Sequence, residues 1–298
     1  MLVTLTTGPV PVVFADVEAA RAFAAMPNAW ASLVPEIAWT AQSPFILSSA
    51  RTRAELESAQ QSMGHQAPFI CENGAAVYVP VGYFADEVPS TEIRGGFHIV
   101  RYGRSYQEVV DELASVSARL GIEVVGFRDL TVEDVALECR LTLLEASLAK
   151  MREYGEPFRI VSGGPDERMR LFRALRRRGL RCFRVGRFDY VDAPVDEATG
   201  MAFLSACYRR AFSSIVTVGL GDATRDARLL AQVQIPVTIQ TERTALADCV
   251  GKPQHADARA HAWHGPYGPL LGRFRGRLFP STRRTRTTGF GHALTGRR

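Results

Sequence analysis

Short apolar runs alternate with amphipathic stretches through the first third of the chain. Val10–Ala15 is an apolar run of strand length, and Glu18–Met26 has helical composition. Pro44–Ser49 is a second such run, followed by a polar-faced helix over Thr52–Met63. An apolar run without alternation marks a strand buried on both faces, as in a parallel sheet. Phe69–Val79 places Asn73-Gly74 between two apolar halves, which predicts a hairpin. A type I′ turn needs positive φ at both central positions, and Asn-Gly is the pair that accepts it.

The pattern then changes. Phe97–Arg101 and Phe158–Ser162 read as strands, Arg181–Val191 as one longer strand, and Tyr106–Leu120 as an amphipathic helix. Thr131 opens a helix with Thr-Val-Glu-Asp, another helix runs to about Arg152, and Pro165–Arg178 is a basic helix. Strand–helix alternation resumes with helix Asp196–Phe212, strand Ile215–Leu220, helix Asp222–Val233 and strand Pro236–Gln240. Strands joined by helical crossovers predict an α/β fold with a doubly wound parallel sheet, here interrupted by an inserted α+β cap. The expected division is a core of residues 1–82 and 186–271, a cap of 83–185 and an Arg-rich disordered tail of 272–298.

Composition refines this picture at three points. An apolar share of 46% and a charged share of 22% are those of an ordinary globular chain. No apolar run is long enough to span a bilayer, and no Lys or Arg precedes Arg21, so no membrane association, no secretory leader and a cytoplasmic location are expected. The five cysteines are never in CxxC spacing, which predicts reduced, buried thiols. Residues 258–298 hold nine Arg and no Asp or Glu; removing those nine from 36 basic residues leaves 27 against 31 acidic, so the body is acidic by about four charges. That tail reads as a solvated segment ahead of a nucleic-acid contact.

The candidate chemistry lies just past the apolar runs. Asp16 ends the first strand, where a carboxylate can attack phosphorus or bind a divalent cation. Ser49 ends the second, where a hydroxyl can hold a phosphate oxygen. Asp222 and Asp226 follow Gly219-Leu220-Gly221 and can complete an oxygen shell for Mg²⁺. Plainer readings stand beside these. Asp16 and Glu18 could be the first-turn acids of one helix, and Asp222 the N-cap of the later one. Gly219 and Gly221 lack the third glycine of a dinucleotide loop. His255, His261 and His264 read as loop histidines, and Arg173–Arg181 as a solvated face.

The order aspartate, hydroxyl, inserted domain, acidic pair resembles the haloacid dehalogenase-like phosphatases, and among them the mannosyl-3-phosphoglycerate phosphatases. The resemblance is carried by Ser49-Ala-Arg51-Thr52-Arg53-Ala54-Glu55, Glu72-Asn73-Gly74-Ala75, Arg152-Glu153-Tyr154-Gly155-Glu156-Pro157, Gly186-Arg187-Phe188, Gly219-Leu-Gly-Asp222 and Gly265-Pro266-Tyr267-Gly268. It implies a Mg²⁺-dependent phosphatase acting on a small phosphorylated sugar-glycerate through an aspartyl-phosphate. By that resemblance Asp16 is the nucleophile and Glu18 stands at the general acid/base position. Ser49 holds phosphate, and Asp16, Glu18 (through its carbonyl), Asp222 and Asp226 bind metal. Arg152, Glu153, Glu156 and Arg187 are matched to a substrate grip in the cap.

Four departures bear on activity. Glu18 stands where the family has aspartate, and Ala19-Ala20 where it has Gly-Thr. The phosphate-holding lysine is missing: its segment reads Asp196-Glu197-Ala198-Thr199-Gly200, and the chain's two lysines are Lys150 and Lys252. Arg225 replaces an asparagine, and either supplies the missing charge or pairs with Asp16. The alternative to an active phosphatase is a catalytically weak or inactive relative that binds a phosphorylated ligand or a protein. Oligomeric state is not legible in the sequence.

Overall fold

The computed structural model describes residues 8–24, 43–223 and 225–238. The expected tail, the three loop histidines, Lys252 and the Gly265–Gly268 motif lie outside these residues.

Twelve strands form two sheets among the described residues. The larger has eight, in the order β12-β11-β1-β2-β3-β4-β6-β5. Its parallel part comprises β1 (Val10–Ala15), β2 (Phe45–Ser48), β3 (Phe69–Cys71), β11 (Ile215–Gly221) and β12 (Ile235–Thr238). Three strands add antiparallel to its edge: β4 (Ala76–Pro80), β6 (Phe97–Arg101) and β5 (Glu92–Arg94). Strand periodicity divides β1 between the faces. Val13 and Ala15 pack with α1 (Val17–Ala24) and α2 (Arg53–Ser62). Val12 and Phe14 pack on the other face with α7 (Glu197–Ala211) and α8 (Ala227–Ala231). The unalternating sequence of β1 is explained: both its faces are core.

The smaller sheet runs β7-β8-β10-β9 and is antiparallel throughout. Its strands are β7 (Val124–Gly126), β8 (Glu156–Ile160), β9 (Arg181–Val185) and β10 (Phe188–Asp192). One face is covered by α3 (Tyr106–Leu120) and α6 (Pro165–Arg177), the other by α4 (Val132–Cys139) and α5 (Leu143–Lys150). Thr131 caps α4 as expected, its hydroxyl accepting from Asp134 N–H.

Pairing departs from the sequence at both edges of the expected insertion. Residues 97–101 were placed in the 83–185 block, but β6 pairs with β4 in the large sheet. Residues 188–192 were placed in the core, but β10 pairs with β8 and β9 in the small one. Arg181–Val191 is a hairpin rather than one strand, turning at Gly186-Arg187 with Val185 opposite Phe188. A strand's own pattern records which faces are buried, not which strand lies beside it.

The Asn73-Gly74 hairpin forms, but not through a two-residue type I′ turn. Cys71 pairs with Ala76, and Glu72, Asn73 and Gly74 all have positive φ, at 44°, 60° and 93°. Gly74 also backs onto the start of α7, where a Cβ would lie 2.5 Å from the Asp196 carbonyl carbon and the Glu197 nitrogen. Backbone on both sides cannot yield as a flexible side chain would. Gly74→Ala is therefore expected to destabilise the fold by about 2–4 kcal/mol, read as a lower urea midpoint at unchanged slope. A change below about 0.5 kcal/mol would refute the close approach.

Four of the five cysteines, Cys71, Cys139, Cys182 and Cys207, are buried and form no disulfide. No helix among the described residues is long and apolar enough to cross a membrane.

Candidate active site

Three adjacent parallel strands deliver their carboxyl ends to one edge of the large sheet. Ala15 is opposite Leu220 on one side and Leu47 on the other, so Asp16, Ser49 and Asp222 follow neighbouring strand ends. Asp16 and Ser49 meet directly: Ser49 Oγ donates to Asp16 Oδ1 at 3.0 Å, with both residues buried. The strand ends are held by backbone, Asp16 N–H donating to Leu220 O at 3.3 Å and Ser49 N–H to Ile70 O at 3.1 Å.

Glu18 lies in the first turn of α1, with its N–H 3.4 Å from Asp16 Oδ2. Its carboxylate pairs with the guanidinium of Arg51, which the sequence reading had quoted in a motif without giving it a role. Arg51 follows Ser49 by two residues, in the turn from β2 to α2. Burial opposes ionisation of Glu18, but a hydrogen bond with the Asp16 carboxyl and the charge of Arg51 outweigh it, and its pKa falls to about 2. Glu18 is thus a carboxylate at neutral pH.

Asp222 does not open a helix, and Asp226 stands at the N-cap position of α8 without a side-chain capping bond. The helix expected from Asp222 begins only at Ala227. The residues between form a turn in which Asp222 Oδ1 accepts from Arg225 N–H at 3.1 Å, and Asp226 Oδ2 from Asp222 N–H at 2.7 Å. Short acidic side chains compete in this way for backbone N–H groups and delay a helix start. Arg225 enters this turn through its backbone.

A glucosyl-3-phosphoglycerate/mannosyl-3-phosphoglycerate phosphatase from Methanococcoides burtonii is 31% identical over 197 residues, covering 66% of this chain and 72% of that protein. The chain belongs to this phosphatase family. A mannosyl-3-phosphoglycerate phosphatase from Pyrococcus furiosus is 29% identical over 181 residues, covering 61% and 71% of the two chains. A solved phosphatase of the haloalkanoate (HAD) enzyme superfamily from Bacteroides thetaiotaomicron shares the fold, with a TM-score of 0.50, 16% identity and coverage of 84% of this chain and 91% of that one. No family model matches the chain.

For a member of the mannosyl-3-phosphoglycerate phosphatase family, the four residues matched to a substrate grip have instructive positions. Arg152 is not exposed to any ligand space; its side chain is 0% exposed and Glu72's 1%. Arg152 Nε donates to Glu72 Oε2 at 3.3 Å, and Nη2 donates to Ala50 O at 3.1 Å and Tyr190 Oη at 2.6 Å. Glu72 also accepts from the N–H groups of Glu153, Tyr154 and Gly155 at 2.8, 3.2 and 2.9 Å. Burial raises the pKa of Glu72, against the pull of Arg152 and those three donors. This network fastens the large sheet to the small one. Glu153 receives Arg53 at 2.7 Å, Arg94 at 2.7 Å and Tyr78 Oη at 2.9 Å. Arg187 is exposed at the β9–β10 turn, its Nη1 3.4 Å from Glu138 O. The structure therefore does not gather these four around one ligand space.

Glu156 is buried at the start of β8, accepting from Arg128 N–H at 2.9 Å and Tyr106 Oη at 2.8 Å. Burial raises its pKa from 4.5 to about 7. A carboxyl with a raised folded pKa holds its proton longer in the native state, so stability falls as pH rises from about 4.5 to 7 and is level above that. The stability of Glu156→Gln relative to wild type should therefore increase across that window, by up to about 3 kcal/mol. Urea titrations of both proteins at several pH values measure it, and a pH-independent difference would disprove the shift.

Among the described residues no set of three or more His, Cys, Asp and Glu side chains is gathered as a metal cluster. Mg²⁺ characteristically takes one or two carboxylates and completes its shell with water and substrate phosphate. Asp16 and Asp222 are the kind of donor that set requires: each carboxylate follows the end of one of two adjacent parallel strands and offers oxygen ligands. Glu18 is paired with Arg51, and Asp226 accepts from Asp222 N–H. Glu18 also sits inside α1, where helix geometry points its carbonyl along the axis.

Lys150 does not replace the missing lysine. Its ammonium donates to the carbonyls of Phe127 and Leu130 in the small sheet's helical layer.

Proposed function

We propose that this chain is a phosphomonoesterase acting on a phosphorylated sugar-glycerate of the mannosyl-3-phosphoglycerate type. The observation that carries the reading is the 3.0 Å contact between Ser49 Oγ and Asp16 Oδ1 at the carboxyl ends of two parallel strands, in a chain of this family. Ser49 orients the Asp16 carboxylate, which attacks phosphorus to form an aspartyl-phosphate as the ester P–O bond breaks and the alkoxide takes a proton from solvent; water then attacks that phosphorus, releasing inorganic phosphate and the Asp16 carboxylate. The Ser49 hydroxyl can turn to a phosphoryl oxygen when substrate arrives. Mg²⁺, held by Asp16 and Asp222, would neutralise charge on the phosphoryl oxygens. Placing the cation and the nucleophile on rigid strand ends removes reorganisation from the attack.

The test is Mg²⁺-dependent release of inorganic phosphate from mannosyl-3-phosphoglycerate. Release above the protein-free background is expected. Background release alone, at millimolar substrate and Mg²⁺, would overturn the reading.

A second reading is favoured by one specific arrangement. Glu18 is ionised against Arg51 and cannot donate a proton to a leaving alkoxide in that state. A catalytically weak relative that still binds the phosphorylated ligand would show thermal stabilisation by substrate without turnover.

A further inference from the structure

We propose that Arg51 is the cation that grips the phosphoryl group in this chain, in place of the lysine that residues 196–200 do not supply. The inference rests on the phosphatase reading above and assigns the part that reading leaves unfilled.

The placement comes first. Arg51 is two residues past Ser49, in the turn that carries β2 into α2, and its side chain is 11% exposed. Its partner Glu18 is two residues past Asp16 and brings its N–H to 3.4 Å from Asp16 Oδ2. Arg51 therefore faces the same edge as the Asp16–Ser49 pair.

Its donor capacity comes next. A guanidinium has five N–H donors in a rigid fork. Nη2 donates to Glu18, while Nη1 stands 3.6 Å from Glu55, an ion pair beyond hydrogen-bond reach. The other side-chain N–H groups of Arg51 donate to nothing among the described residues. The fork therefore keeps donor capacity beyond Glu18, and two oxygens of one phosphoryl group match its geometry.

Three other cations near these elements are committed. Arg53 holds Glu57 and Glu153, Arg152 holds Glu72, and Lys150 holds two carbonyls. The segment matched to the lysine motif offers Asp196 and Glu197 instead, with Asp196 capping α7. A phosphate dianion entering among Asp16, Glu18, Asp222 and Asp226 needs positive charge at short range, and Arg51 provides it.

The test compares full-length wild type with Arg51→Gln and Arg51→Lys. Two readouts are taken: binding of inorganic phosphate by calorimetric titration, and kcat/KM for phosphate release from mannosyl-3-phosphoglycerate. Arg51→Gln is expected to weaken both by about 10²–10³-fold, and Arg51→Lys to recover about a tenth of the loss or more. If Arg51→Gln binds phosphate as wild type does, the proposal is overturned, while turnover by wild type would keep the phosphatase reading intact. If wild type turns over nothing, phosphate binding alone decides: Arg51-dependent binding supports the proposal with the activity reading lost. Absence of phosphate binding by wild type overturns it.

Arg51→Gln removes the positive charge beside Glu18 and Glu55 and could fail to fold. Glu18→Gln/Arg51→Gln removes the facing charges together, and its phosphate affinity is then compared with that of Glu18→Gln alone. A grip on phosphate predicts the same 10²–10³-fold gap between those two proteins, roughly, because the cation is lost in one and kept in the other. A role confined to holding Glu18 predicts equal affinities and defeats the proposal.

Discussion

Asp16→Asn is expected to lower phosphate release by about 10⁴–10⁶-fold, to the background rate, with stability changed by less than about 1 kcal/mol. The two halves of that expectation have separate causes. An amide oxygen can still accept the Ser49 hydroxyl that now bonds Asp16 Oδ1 at 3.0 Å, so the strand ends keep their contact. An amide is a far weaker nucleophile than a carboxylate, and it removes one of the two carboxylates suited to Mg²⁺. Discontinuous phosphate assay gives the first half and urea unfolding the second. Equal release by wild type and Asp16→Asn would mean that phosphorus is attacked by something else. Loss of stability by several kcal/mol would mean that the Asp16 charge is structural.

The second large effect is on stability. Arg152→Met should cost about 3–5 kcal/mol, because it strands the Glu72 carboxylate in a site that is 1% exposed. Three backbone N–H groups still reach Glu72, which keeps the loss at the lower end if they suffice. Pairing the change with Glu72→Gln should recover part of it, since a neutral pair of similar volume leaves no unbalanced buried charge. The two single changes and the double change, measured by urea denaturation, form a cycle with a coupling of about 1–3 kcal/mol. At a temperature where Arg152→Met is folded, its KM for mannosyl-3-phosphoglycerate should stay within about threefold of wild type, since Arg152 reaches protein atoms on every bond it makes. A KM raised tenfold or more with unchanged stability would return Arg152 to the ligand.

Much of the fold could be read from residues. The apolar run Val10–Ala15 is β1 residue for residue, and Tyr106–Leu120 is α3, since a continuous apolar run and amphipathic spacing are written locally. Asp16 and Ser49 were legible because each ends a strand whose partner could be inferred from crossover topology. Pairing was less legible. Nothing in Phe97–Arg101 says that its neighbour is β4, and nothing in Phe188–Asp192 says that its neighbours are β8 and β9. The helix start at Ala227 was hidden by competition between two aspartates and the backbone, which propensity does not express. Arg51 escaped notice for another reason. A sequence shows the charge of an arginine but not which carboxylates surround it, and here those come from α1 and α2. Arg152 differs in the opposite direction: a charged motif in an inserted block suggests a ligand grip, whereas the structure shows its side chain buried and bonded to protein atoms.

The position of β1 has one more consequence. It is bonded along both edges, to β2 and β11, and covered on both faces, so its amides meet solvent only when the whole sheet comes apart. Asp16 is thereby anchored directly after a segment that is slow to open. In the proposed phosphatase, any give needed to admit a sugar-sized guest would come from the approaching layers, while Asp16 stays still.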